Sequence, residues 1–174
     1  SGATSSSYTT GSLTTANDSD SYYCTVSYGG SSVNSDSVSS KIKPYITSHP
    51  SALNVDDNTG PYAFQVAAGG SGTLYFQWFK NSSAIFSPAR TGNISSSQDQ
   101  HVINPVNSSN VGNYYCKVTS SYDGTGVNSN TVSLSIIAPI VTLGITGYSA
   151  PFNFYYGNVI TLTSSLSQGQ NVTY

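Results

Sequence analysis

The chain has 174 residues, only 7% of them charged, and a formal net charge of −2, which makes nucleic acid and anionic membranes unfavourable partners. It contains neither Met nor Glu, and its Thr, Tyr and Val favour strands, so an almost helix-free protein is predicted. No apolar run approaches the ~18 residues of a membrane span, so no spanning segment is predicted.

Self-similar segments divide the chain into one complete and two partial repeats. The matching pairs lie about 92–95 positions apart and are residues 21–26 with 113–118 and residues 33–42 with 127–136. They predict the C-terminal part of one domain over 1–43, a complete domain over 44–137 and the N-terminal part of a third over 138–174. The absence of an initiator Met or signal-peptide pattern predicts an internal or processed stretch. Because half a sandwich cannot bury its own face, a longer chain or strands from other chains should complete the partial domains.

Alternation of apolar and polar residues predicts the strands of the complete repeat. Each predicted strand has one apolar face, which is typical of antiparallel sandwiches. The predicted inward side chains are Phe64 and Val66, then Leu74, Phe76 and Trp78, then Tyr114, Cys116 and Val118, and finally Val132, Leu134 and Ile136. Short linkers are predicted at about 43–45 and 137–140, and they should hold neighbouring domains stiffly.

The run Ile-x-x-Val-x-x-x-Asn-x-Gly-x-Tyr-x-Cys over residues 103–116 resembles the E–F turn and strand F of immunoglobulin-like domains. Asn110 stands where the family usually has Asp, and the first repeat has Asp18 six residues before its cysteine. Tyr114 and Tyr22 occupy the tyrosine-corner position, and Trp78 resembles the core tryptophan of strand C. The resemblance implies an all-β protein of tandem immunoglobulin-like β-sandwich domains, one complete and two partial. Similar modules occur in archaeal and bacterial surface proteins, in phage tail or capsid proteins and in animal receptors. The repeat, the sequons and the scarcity of acids favour the microbial or viral surface type, with an archaeal source among the candidates.

One departure from the family concerns the cysteines. The usual strand B partner lies about 14 residues before the tryptophan, where this chain has Phe64 and the third repeat has Leu162. Cys116 is therefore predicted to be a buried thiol that fills space, with a disulfide to another chain as the alternative. The predicted structural core comprises Trp78, Tyr114, Cys116 and Phe64 in the complete repeat, with Tyr22 and Cys24 in the first.

Five Asn-x-Ser/Thr sequons predict N-linked glycans and an extracellular, cell-surface location. Because the chain is rich in Ser, Thr and Asn, some of these sequons are expected to arise by chance. The sequons are at Asn17, Asn81, Asn93, Asn107 and Asn171.

Candidate catalytic and metal-binding residues are few. His49 and His101 have no Cys or Asp at metal-ligand spacing, the only acid pair in the complete repeat is Asp56 with Asp57, and no activated nucleophile is evident. Asp56-Asp57-Asn58 could supply oxygen ligands to Ca²⁺, although a solvated turn is the ordinary alternative. We therefore predict no enzyme activity, no metal site and no cofactor.

Outward-facing aromatic residues form the last candidate site. They are Tyr23, Tyr75 and Tyr115, with Phe79 beside them, and they could contact other domains, other chains or glycans. The sequence favours a structural subunit of a cell-surface filament, surface layer or sheath that associates with itself or with neighbouring surface proteins. The alternative is an adhesin or a viral or phage fibre module that binds a host receptor or glycan through a loop between Lys80 and Gln100.

Overall fold

The computed structural model describes residues 3–137, 141–145 and 162–166, which form fifteen strands and two 3-10 helices. The first segment contains a 3-10 helix, Thr15–Asn17, and strands β1 (Ser21–Tyr22), β2 (Thr25–Tyr28), β3 (Ser31–Asn34) and β4 (Val38–Ser39). The second contains β5 (Tyr45–Ser48), β6 (Leu53–Val55), β7 (Tyr62–Gly69), β8 (Leu74–Lys80), β9 (Ser83–Ala84), β10 (Gln98–Ile103), the 3-10 helix Ser108–Asn110, β11 (Gly112–Ser120), β12 (Val127–Asn128) and β13 (Val132–Ile136). Beyond residue 140 lie β14 (Val141–Ile145) and β15 (Leu162–Leu166).

Strands β5 to β13 form a two-sheet sandwich, which confirms the predicted all-β fold. One sheet has the order β10-β7-β5, and the other has the order β6-β13-β11-β8-β9 with β12 paired to β11. Pairing is antiparallel except between β6 and β13, which run parallel. Although β5 and β6 are consecutive, they lie in different sheets, and Pro50 is buried in the crossing between them. The first part of the domain therefore contributes to both sheets.

The core lies between the sheets and is built around Trp78. The side chains of Trp78, Phe64 and Cys116 have no exposed surface, and Tyr114 is 1% exposed. The Phe64 ring lies 4.6 Å from that of Tyr114 and 6.2 Å from that of Trp78, centroid to centroid. Burial of each large apolar side chain contributes about 1.5–3 kcal/mol, so this aromatic group is a major source of stability in a domain whose Cys116 is a free thiol.

A buried carboxylate at Asp99 lies beside this core, although nothing in the alternation of residues predicts it. The Asp99 side chain is fully buried and accepts a hydrogen bond from Trp78 Nε1 at 2.8 Å. Arg90 contacts both carboxylate oxygens, with Nη2 at 3.0 Å and Nε at 3.2 Å, and the backbone N–H of Asn93 donates at 2.9 Å. The negative charge is thus both paired and hydrogen-bonded, as a buried charge must be.

The first segment has the same strand pairing as the end of the complete domain. Tyr22 pairs with Val38 as Tyr114 pairs with Val132. In both segments a serine bonds the backbone of the cysteine. The backbone N–H of Ser35 donates to Cys24 O at 2.8 Å and its Oγ accepts from Cys24 N at 2.9 Å, and Ser129 makes the same pair of bonds to Cys116 at 2.8 and 3.0 Å.

Two predicted positions in the first segment differ in the structure. Asn17, and not Asp18, is the counterpart of Asn110. Each of these asparagines ends a 3-10 helix, and its side-chain oxygen accepts a hydrogen bond from the backbone N–H three residues earlier. Asp18 lies one residue beyond the 3-10 helix of the first segment. Cys24, predicted as core, is exposed, and Tyr22 is half-buried. Across the described ranges, β1 to β4 pair only with one another, so no second sheet covers Cys24.

Strands β14 and β15 form an antiparallel pair, as β5 and β7 do in the complete domain. Leu162, predicted to take the place of the missing strand B cysteine, is the first residue of β15.

Candidate functional site

The outward face of the six-stranded sheet carries a line of cross-strand pairs. Strands β8 and β11 are in register so that Tyr115 lies opposite Phe79 and Thr119 lies opposite Tyr75. The rings of Phe79 and Tyr115 are stacked, with centroids 4.8 Å apart and planes 5° apart, and both side chains are half-buried. We call Phe79 and Tyr115 the aromatic pair. Because the ring planes are parallel and their centroids are this close, the two rings face each other across β8 and β11.

In the first segment, Tyr23 corresponds to Tyr115 and is 62% exposed. The structure therefore places all four outward aromatic residues of the sequence analysis away from the core. It brings Phe79 and Tyr115 into one group, whereas Tyr75 lies four residues from Phe79 on the same strand.

A tight turn borders the aromatic pair. Asn81 and Ser82 join β8 to β9 as a two-residue loop, and both have positive φ, 48° and 67°, which is the type I′ hairpin turn. Asn81 extends the ladder to β11, since its N–H donates to Asn113 O and its Oδ1 accepts from Asn113 N, both at 2.9 Å. The side-chain amide of Asn81 is therefore held in one orientation.

The sequons differ in how their amide nitrogens are used. In Asn93, Nδ2 donates to Gln100 O at 2.8 Å, and in Asn17 it donates to Asp20 Oδ2 at 2.9 Å. Asn81 and Asn107 use their side-chain oxygens as acceptors, and in the described part of the chain their Nδ2 atoms donate no hydrogen bond. Asn171 lies outside the described residues.

The stretch between Lys80 and Gln100 is folded against the sandwich. Phe76 and Arg90 exchange two backbone hydrogen bonds of 2.7 and 3.1 Å, and Ile85 N donates to Trp78 O at 2.9 Å. The Arg90 guanidinium lies 4.1 Å from the centre of the Phe86 ring, which packs against the core. Residues 85–90 therefore extend the edge of the sheet, whereas residues 93–97 of this stretch are exposed.

A polar contact joins the first segment to the complete domain at Ser71, which is 2% exposed. Its Oγ donates to Asp18 and accepts from Ile42 N at 2.7 Å, and its own N–H donates to Ile42 O at 2.9 Å. Nearby, Lys41 Nζ lies 5.0 Å from the centre of the Tyr122 ring. We call this contact the joint.

Gly70 is required at the joint. It has φ +143°, and a Cβ atom there would lie 3.0 Å from Pro44 Cα. A side chain at this position would thus be disfavoured both by the backbone conformation and by the close approach of the backbone at Pro44.

The two histidines and Cys116 are held in place by packing or hydrogen bonds. His101 is half-buried between Trp78 and Tyr114, and burial, followed by the charge of Arg90, lowers its pKa below the usual 6.5 despite the opposing charge of Asp99. Burial strongly raises the pKa of the Cys116 thiol, which keeps it protonated and a poor nucleophile. His49 Nδ1 accepts from Asn130 N at 3.0 Å.

The acidic run Asp56-Asp57-Asn58 forms a turn. The Asp56 carbonyl accepts from Thr59 Oγ1 at 2.6 Å, and Asp57 Oδ1 accepts from Asn58 N at 3.0 Å. Over the residues that the structure covers, no three His, Cys, Asp or Glu side chains gather in a way that could hold a metal ion.

Comparison with known proteins gives a family match. The family model described as Immunoglobulin I-set domain matches residues 44–136. No curated protein sequence matches the chain with significant similarity. In the described ranges, no helix is long and apolar enough to cross a membrane.

Solved structures with similar folds include several titin domains. A chimeric titin Z1Z2 carrying a KLER peptide from decorin is 16% identical, covering 56% of this chain and 98% of its own, with a TM-score of 0.48. Titin M4 in its trigonal form is 15% identical, covering 57% of this chain and 100% of its own, with a TM-score of 0.48. The complex of titin M10 with an obscurin-like 1 Ig domain is 11% identical over 55% of this chain and 95% of its own, with a TM-score of 0.46. Identities this low concern the fold alone.

Proposed function

The chain belongs to the immunoglobulin I-set family, and from this premise we propose that it is a structural module of an extracellular surface assembly made of such domains in series. The assembly is a filament, surface layer or sheath in which copies associate with one another or with neighbouring surface proteins. The observation that carries the proposal is the joint, where a buried serine connects consecutive segments of the chain through three hydrogen bonds.

The joint supports a load-bearing role for a physical reason. Flexible linkers between domains make few contacts and let domains move independently. Here Ser71 bonds the backbone of Ile42, just before the predicted linker, and also the side chain of Asp18, which lies in the turn before β1. Rotation of one segment against the other would leave the buried Ser71 hydroxyl without partners, which is unfavourable.

Electron microscopy of the native surface, with antibodies against residues 44–137, tests the proposed assembly. A regular fibre or lattice labelled along its whole length is the expected result. Isolated spikes labelled only at their tips would instead favour the adhesin or fibre alternative. A discrete soluble monomer that neither self-associates nor carries glycans would contradict the structural role.

The stiffness of the joint can be measured with the Ser71→Ala variant. Loss of both side-chain bonds should increase the rate of limited proteolysis within residues 40–44 and broaden the distance distribution from small-angle scattering. Ser133→Ala is the matched control, since Ser133 is exposed on β13 in the sandwich. Equal behaviour of the two variants would show that the joint is not stiffened by Ser71.

The alternative function, an adhesin or a viral or phage fibre module, has less support. It would use a long loop between Lys80 and Gln100, and the middle of that stretch packs on the sheet through Phe86 and Arg90.

We propose no catalytic activity for the complete domain, because its candidate groups lie in structural surroundings. Cys116 is buried, His101 packs between Trp78 and Tyr114, and His49 Nδ1 accepts from Asn130 N.

A further inference from the structure

We propose that two copies of the chain pair side by side through the free edge of strand β7, so that one continuous sheet crosses a two-fold axis. The pairing is antiparallel and places Ala63 of each copy opposite Gln65 of the other. The inference rests on the proposed function and deepens it, because it names a surface through which copies associate. This contact is lateral, whereas the joint connects consecutive segments of one chain.

The edge of β7 is free because β5 leaves the sheet early. Strand β5 pairs with β7 only at residues 67–69, and after Ser48 the chain crosses to the other sheet. On its opposite side, β7 is paired with β10 from Tyr62 to Ala67. Over the described ranges, no strand therefore lies against residues 62–66 of β7 on the side that β5 has left.

The direction of the backbone groups identifies which of them reach this edge. Ala68 N donates to Ser97 O at 2.9 Å, so the backbone groups of Ala68 are directed to the β10 side. Successive residues of an antiparallel strand direct their N–H and C=O groups alternately to the two sides. Those of Ala63 and Gln65 are therefore directed to the free edge, and both residues are exposed. In the described part of the chain these groups make no hydrogen bond, so they are available to an added strand.

The outer edge of β10, on the other side of the same sheet, is capped instead. The Asn93 side chain accepts from Gln100 N and donates to Gln100 O, both at 2.8 Å. Gln98 N donates to Ser95 O at 3.1 Å, and Gln98 O accepts from Ser95 N at 3.3 Å. An uncapped edge strand is a template for pairing with another chain, whereas caps of this kind prevent such pairing. The sheet is thus protected at Gln98 and Gln100 and open at Ala63 and Gln65.

A second copy of β7 fits the open edge because the edge is self-complementary. When Phe64 of each copy lies on the two-fold axis, Ala63 exchanges its N–H and C=O bonds with Gln65 of the second copy, and Gln65 does so with Ala63. On the outward face a small side chain then lies beside a long one, and no like charges meet. A groove of about 390 Å³ borders this edge, and its lining, which includes Ser48 and His49, contains no Asp, Glu, Lys or Arg.

The position of the edge is compatible with domains arranged in series. The joint lies at the other end of β7, where Gly70 approaches Pro44, so pairing at residues 63–65 leaves the joint free. A formal net charge of only −2 makes repulsion between two copies small. Because a two-fold axis between antiparallel strands reverses the chain direction, the contact joins neighbouring rows that run in opposite directions. Within the proposed function, it favours a layer or sheath over a single filament.

The experiment combines sedimentation of the full chain with amide hydrogen exchange measured by NMR at low and high protein concentration. We expect dimers at high concentration and slower exchange of the Ala63 and Gln65 amides as dimers form. The exposed Val102, whose amide is directed to the outer edge of β10, should exchange equally at both concentrations. Gln65→Lys should weaken self-association at least about tenfold, because a charged edge opposes pairing. Gln100→Lys is the matched control, since Gln100 lies opposite Gln65 in the sheet but at the capped edge, and it should change self-association by less than about twofold.

Three results would overturn the inference: a monomer at every concentration, dimers without slower exchange at Ala63 and Gln65, or equal weakening by the two lysine substitutions. The exchange measurement uses the unchanged chain, so it decides the matter even when a lysine variant does not fold. A regular lattice in microscopy together with a solution monomer would leave the proposed function standing and refute only the β7 pairing. Isolated spikes together with protected Ala63 and Gln65 amides would refute the proposed function and leave the pairing.

Discussion

Replacing Arg90 with Met is expected to destabilise the complete domain by about 3 kcal/mol. The substitution removes the counter-charge of Asp99, whose side chain is fully buried. Breaking a buried ion pair from one side costs about 3–5 kcal/mol, because the remaining charge is left uncompensated. The lower end applies here, since Asp99 keeps hydrogen bonds from Trp78 Nε1 at 2.8 Å and from Asn93 N at 2.9 Å.

The converse substitution, Asp99→Asn, should cost less, about 1–2 kcal/mol. Asparagine keeps an oxygen that can accept from Trp78, and Arg90 is 37% exposed, so water can solvate its charge when the carboxylate is gone. The double variant should cost less than the sum of the two single variants, because no buried charge remains.

Urea unfolding followed by the fluorescence of Trp78, the single tryptophan of the chain, measures these losses. With a slope near 1.5 kcal/mol per M, Arg90→Met should lower the midpoint by about 2 M. A loss under about 1 kcal/mol for Arg90→Met, or a larger loss for Asp99→Asn than for Arg90→Met, would refute the reasoning.

Three further predictions concern the core. The pKa of His101 is lowered in the folded state, so the unfolded chain binds a proton first as the pH falls, and stability should decrease below pH 6.5. His101→Gln should flatten that part of a plot of urea midpoint against pH, and an unchanged slope would contradict this. Tyr114→Phe removes the hydrogen bond from the Tyr114 hydroxyl to Asn110 O at 2.5 Å and should lower the free energy of unfolding by about 1 kcal/mol in the same assay. No loss would show that this tyrosine-corner bond does not stabilise the domain. Cys116 should resist a thiol reagent until the domain unfolds, while exposed Cys24 in this chain reacts at once, and equal rates would show that Cys116 is accessible.

The fold was predictable because burial follows alternation. Phe76 and Trp78 of β8 and Cys116 and Val118 of β11 are inward and fully buried, as the two-residue period indicates. Val132, also predicted inward, is half-buried at the end of its strand. The domain boundaries and the glycan sites remain predictions, and the partial domains are described only in part.

The polar contacts were not predictable from periodicity. Asp99 reads as an ordinary polar strand residue, and its partner Arg90 comes from a stretch without a strand pattern. The joint depends on Asp18 and Ser71, which are 53 positions apart, and no spacing rule connects two such residues. Counting back from the cysteine aligns Asp18 with Asn110, but one extra residue in the first segment gives the helix-ending role to Asn17.

The parallel pairing of β6 with β13 has a mechanical consequence. The chain enters the domain before β6 and leaves it after β13, so a pull on the two ends draws these strands in opposite directions along their common axis. The three paired positions, Leu53 with Leu134, Asn54 with Ser135 and Val55 with Ile136, are then loaded in shear together, and the bond from Ile137 N to Val55 O shares the load. Hydrogen bonds loaded together must break together, whereas those of a peeled hairpin break one at a time. Once β5 has been pulled away from β7, tension along a series of such domains would therefore meet its main resistance at β6 and β13.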